Sequence, residues 1–180
     1  ARVLTLGGII QDLRLDGVDR PLVLGHPDPA AYLDPFRHVG ALVGRFANRI
    51  AGARFRLSGR DHAVDANEAP NCLHGGSAGA SVRLWRITRA APDAVSLALD
   101  FTDGEMGFPG AMQALATLSL SDVGGVAGVT VALQATATRP TPCNLTHHGY
   151  WTLSPDGSGD HLLQVAADRY LPVDDALIPL

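Results

Sequence analysis

Val95-Ser96-Leu97-Ala98-Leu99-Asp100-Phe101 is the stretch that decides the fold class. Val95, Leu97, Leu99 and Phe101 alternate with Ser96, Ala98 and Asp100, a period of two that puts the four larger apolar side chains on one face of an extended strand. Val129, Val131, Leu133 and Ala135 alternate in the same way with Thr130, Ala132, Gln134 and Thr136. Each run predicts a strand with one buried face. Towards the N-terminus, Ser58-Gly59 separates residues 53–57 from residues 62–64, and Asp16-Gly17 separates Leu13 and Leu15 from residues 21–24. Both read as hairpins, because such turns need positive φ values that glycine adopts without cost. Turn residues recur along the whole chain, with 20 Gly and 12 Pro in 180 residues. Short strands at that spacing predict an all-β sandwich or barrel. Residues 36–50 are the best candidate for a short helix, since Val39, Leu42, Val43 and Phe46 are spaced for one face, although Gly40 and Gly44 weaken it.

The length predicts a single domain, residues 1–180, with a substantial core. Hydrophobic residues at 46% and charged residues at 18% fit a packed globular chain. A net charge of −4 with scattered arginines supplies no basic field for a phosphate backbone, so no nucleic-acid partner is expected. All 14 basic residues are arginine, which excludes Schiff-base and lysine-nucleophile chemistry. Two cysteines, Cys72 and Cys143, are too few for a disulfide scaffold and suggest a reducing, cytoplasmic setting. No apolar run approaches the roughly 20 residues that span a bilayer, so no membrane partner is expected. The first residue is not methionine, which suggests that an N-terminal piece, with any targeting signal, has been removed.

Three strings carry candidate chemistry. Asn71-Cys72-Leu73-His74-Gly75-Gly76 sets an imidazole beside backbone that can approach a ligand closely. The bland alternative is a turn whose histidine caps neighbouring carbonyls. Asn144-Leu145-Thr146-His147-His148-Gly149-Tyr150-Trp151 holds adjacent histidines, which on an extended segment point to opposite faces, so only one serves a given pocket. Gly44-Arg45-Phe46-Ala47-Asn48-Arg49-Ile50 offers an amide and a guanidinium suited to sugar hydroxyls, or an ordinary capped turn.

In chain order, Gly44 to Ile50, Asn71 to Gly76, Gly104-Glu105-Met106-Gly107-Phe108-Pro109-Gly110 and Thr141 to Trp151 resemble the aldose 1-epimerase family. The closing text from Asp168-Arg169-Tyr170-Leu171-Pro172 to Ile178-Pro179 is similar as well. The resemblance implies a large antiparallel β-sandwich with an open cleft for a small aldose. It implies His148 as the acid and His74 as a catalytic hydrogen-bonding partner near the ring oxygen. Asn48, Arg49 and His74 would bind substrate, with no cofactor and no metal. His147, Gly149 and Trp151 depart from the family's asparagine, serine and phenylalanine, and Ala80-Ser81 from its Phe-Asp. The family continues past the point matching Ile178-Pro179, and there it keeps a sugar-binding aspartate and the glutamate base. Neither Glu68 nor Glu105 matches that base. The expectation is therefore a truncated domain lacking its C-terminal strands, poor in activity alone and prone to self-association. The rival readings are a non-catalytic sugar-binding module, a sugar-phosphate epimerase relative using Arg45, Arg49, Arg54 and Arg56, and a metal site drawn from His74, His148, Cys72 and Cys143.

Overall fold

The alternating runs do form strands in the computed structural model, which describes residues 1–180. In chain order these are β1 (Arg2–Val3), β2 (Ile10–Asp12), β3 (Leu42–Val43), β4 (Arg49–Ile50), β5 (Arg54–Leu57) and β6 (Arg60–Ala63). They continue with β7 (Cys72–Leu73), β8 (Arg86–Ala91), β9 (Ala94–Phe101), β10 (Met112–Val123), β11 (Val126–Ala137) and β12 (Thr146–His147). The only helical segments are short 3-10 turns, such as Pro29–Tyr32, which Asp28 caps by accepting from the Ala30 N–H. None is long and apolar enough to cross a membrane.

The main sheet has the order β11-β10-β9-β8 and is antiparallel throughout. Its register explains the sequence pattern. Val95, Leu97, Leu99 and Phe101 stand opposite Leu118, Ala116, Ala114 and Met112. Those in turn stand opposite Val131, Leu133, Ala135 and Ala137. One continuous apolar face results, and it packs on Ile10, Leu13, Val23, Leu42, Ala80 and Trp85 to make the main core. The opposite face is polar, with Ser96 and Thr117 hydroxyls 2.9 Å apart across β9 and β10. A second small core of Ala53, Val64, Cys72 and Phe108 lies under the β5–β6 hairpin, whose turn at Ser58-Gly59 has positive φ at both residues.

Two local expectations are corrected. Asp16-Gly17 does turn the chain, and the Leu22 N–H donates to the Leu13 carbonyl at 2.8 Å, but no hairpin ladder forms. Val23, buried in the core, bridges to Trp151 instead, while Leu24 and Thr152 exchange backbone bonds with Tyr150 and Leu22. Residues 36–50 form no helix. Ala41, Leu42 and Val43 are all buried in succession, which a helix with one apolar stripe cannot achieve, and the chain runs extended between Gly7 and β12.

Candidate active site

Two short strand pairings bring the three strings together. Antiparallel β4 and β7 set Arg49 opposite Leu73, so Asn48 and His74 meet at the end of that pair. Antiparallel β3 and β12 set Leu42 opposite His147, and the pairing continues as the His148 N–H donates to the Ala41 carbonyl at 2.8 Å. The Gly40 N–H donates to the His148 carbonyl at 2.9 Å.

Asn48 and His74 both have positive φ, 64° and 54°, a conformation uncommon for residues with a side chain. Each holds the other there. The His74 N–H donates to the Asn48 carbonyl at 3.0 Å, and the Asn48 N–H donates to His74 Nδ1 at 3.0 Å. A ring nitrogen that accepts carries no proton, so His74 is a neutral imidazole with its hydrogen on Nε2. Burial is the main reason that its pKa falls to about 4, helped by His38, His148 and Arg49 and opposed by Glu68.

The His74 and His148 rings lie edge to face with centroids 5.3 Å apart. The Tyr150 ring stacks on His148 at 5.3 Å. His147 turns elsewhere, its Nε2 3.0 Å from the Gly40 carbonyl oxygen, and burial lowers its pKa. His38, which drew no attention in the sequence, completes the group with its ring 4.8 Å from His74 and 6.5 Å from His148. Nothing periodic marks His38, because a positive-φ turn at 77° delivers it to the cluster.

The sequence model of the aldose 1-epimerase family matches residues 1–180. The chain belongs to that family. It is 37% identical over 166 residues to the aldose 1-epimerase of Escherichia coli K12, covering 91% of this chain and 47% of that protein. It is 41% identical over 165 residues to the galactose mutarotase of Rattus norvegicus, covering 88% of this chain and 46% of that protein. The crystal structure of an aldose epimerase homologue from C. elegans superposes with a TM-score of 0.88 at 30% identity, over 98% of this chain and 55% of that one. A galactose 1-epimerase from Lactobacillus acidophilus gives 0.83 at 27%, over 98% and 52%. The fold is thus the antiparallel sandwich of the aldose epimerases, and the chain spans about half the length of the curated relatives it matches.

Within this family member, Arg49 is held rigidly. Its Nε and Nη2 donate to the two carboxylate oxygens of Glu68 at 2.6 and 2.8 Å, and Nη1 lies 3.4 Å from Asn48 Oδ1. Glu68 was not anticipated as part of the site. Asn67 beside it fixes the end of β7 by bonding both the N–H and the carbonyl of Leu73. Glu105 is engaged by Arg83 at 2.7 Å and by the Thr102 N–H at 2.8 Å. Both glutamates of the chain are therefore committed to other partners. The His-Gly-Gly string serves the fold, because a Cβ at Gly75 would collide with the Gly44-Arg45 backbone.

The four arginines of the phosphate reading do not form a free cluster. Arg45 is buried, with Phe101 and Phe108 beside its guanidinium, and donates to the Pro109 and Gly110 carbonyls and to Thr141 Oγ1. Arg49 is paired with Glu68, while Arg54 and Arg56 lie exposed on β5. No group of three His, Cys, Asp or Glu side chains is arranged to hold a metal ion.

Proposed function

We propose that the protein carrying this chain is an aldose 1-epimerase, an isomerase that interconverts the α and β anomers of a free aldohexose. The observation that carries this reading is the pair of rings, His74 and His148, 5.3 Å apart beside Asn48 and Arg49, a span that one pyranose ring covers. Ring opening removes the proton of the anomeric hydroxyl, breaks the C1–O5 bond and delivers a proton to O5. The open-chain aldehyde rotates about C1–C2 and recloses by the reverse steps. Proton count is conserved, and no oxidant or cofactor enters.

His148 is assigned as the acid that protonates O5, and His74 donates from Nε2 close to the same oxygen. The Asn48 side chain and the free edge of the Arg49 guanidinium hold neighbouring hydroxyls, which shortens both proton transfers. Positioned acids and bases contribute about 10²–10⁴-fold each. The resemblance to the family assigns the base to the length of the relatives that this chain does not match, and the ion pairs of Glu68 and Glu105 agree with their having other roles. Two free cysteines fit a cytoplasmic setting, and a small sugar is the partner assigned.

The test is anomer exchange of freshly dissolved α-D-galactose and α-D-glucose by the full-length protein, followed by polarimetry with a chelator present. Exchange that collapses on His148→Ala supports the reading. Saturable sugar binding without exchange would replace it with a non-catalytic sugar-binding module.

A further inference from the structure

Three imidazoles, not two, meet at this site, and the third has an anchor of its own. His38 Nδ1 lies 2.7 Å from the hydroxyl of Ser81, which is 2% exposed in the 3-10 turn Ala80–Val82. The His38 backbone sits at φ 77°, where a side chain is disfavoured, so the surrounding structure has to hold the ring in place. Its edge contact with His74 packs against the ring that Asn48 orients through Nδ1.

We propose that His38 is a positioning residue of the sugar site, which, anchored by Ser81, screens His74 from water and keeps it a neutral Nε2–H donor. This rests on the aldose 1-epimerase reading, whose chemistry needs that donor. The groups facing His38 are Arg37 on its own turn, Ser81 on the 3-10 turn, His74 beyond β7 and His148 beyond β12. His74 in addition faces Arg49 and Glu68, and Tyr150 covers His148. Burial, then the positive Arg37 and neighbouring His148, lower the His38 pKa to about 4, so the screen carries no charge at neutral pH. Closely spaced imidazoles disfavour one another's protonation, and a ring that excludes water disfavours it further. Protonating His74 would place a second hydrogen against the Asn48 N–H and break the bond that orients the ring.

The experiment is NMR titration of the His74 ring in the full-length protein and in His38→Ala, alongside the pH profile of anomer exchange. In His38→Ala the His74 midpoint is expected to rise by about one pH unit or more. The acid limb of the exchange profile rises with it, while exchange on the neutral plateau falls by about tenfold. Ser81→Ala, which removes only the anchor, shifts both in the same direction and replaces His38→Ala if that variant does not fold. A His74 midpoint and acid limb that stay in place overturn the proposal. Should the wild-type protein show no exchange at all, the functional reading fails, and the His74 titration still decides the role of His38.

Discussion

Asn48 and His74 clasp each other through two hydrogen bonds of 3.0 Å, one from the His74 N–H to the Asn48 carbonyl and one from the Asn48 N–H to the His74 ring. The second bond fixes the tautomer, since Nδ1 can accept only while unprotonated. The expected result is a single Nε2–H form of His74 from pH 5 to pH 8, read from ring nitrogen shifts. An imidazolium signature at pH 6 would contradict the assignment. His74→Ala leaves the Asn48 N–H unpaired and is expected to lower anomer exchange by about a hundredfold or more.

Stability is expected to fall on mild acidification. His38 and His74 titrate at about 4 in the folded chain and near 6.5 when unfolded, so between those values the unfolded state binds more protons. Folding stability therefore rises with pH across that window and is lost as pH drops from about 6.5 towards 4. Asp65, lowered by hydrogen bonds from Ser77, adds a loss of the same sign at the acid end. Denaturant midpoints at pH 7.5 and pH 5 check this, and equal midpoints would refute it.

Both oxygens of Glu68 set the plane of Arg49. Glu68→Gln can keep at most one good bond to that fork. A rise in KM of about tenfold with a smaller change in kcat is expected, because positioning is lost while the proton-transfer groups remain. Arg49→Lys is expected to be at least as damaging, since an ammonium cannot form the two-point pair. A change confined to kcat would argue that Arg49 acts in proton transfer.

A polypeptide of residues 1–180 alone is expected to self-associate and to exchange anomers poorly. β11 is an edge strand of the main sheet, and Leu162, Leu163, Tyr170 and Leu171 lie exposed close together in sequence. Wet apolar area forfeits about 25 cal/mol per Å², and an open edge offers unpaired backbone to another copy. Sedimentation would show oligomers or aggregate, and a fully active monomer would overturn both halves of this prediction.

The strands were legible where one face is core and the other is polar, as in Val95 to Phe101, because period-two alternation records that difference directly. It failed for residues 41–43, buried on all sides, where apolar residues in succession carry no period. The opposite orientation of His147 and His148 followed from strand geometry alone. His38 and Glu68 did not, since they reach the site through a positive-φ turn and a cross-loop ion pair that leave no mark on local pattern.

The bond from His147 to the Gly40 carbonyl joins positions 107 residues apart, and those of His148 to Gly40 and Ala41 lie beside it. During synthesis Asn48 and His74 can therefore clasp while much of the main sheet is still to be made. His148 cannot seat until β8 to β11 have emerged and the chain has returned to Gly40. Closing that loop costs more chain entropy than closing the 26-residue one between Asn48 and His74, so His148 is expected to seat after them. Pulse-labelled hydrogen exchange during refolding should find the Gly40 and His148 amides protected after those of β9 and β10. Any nascent chain shorter than 148 residues then holds half of this histidine pair, with one imidazole oriented and its partner not yet born.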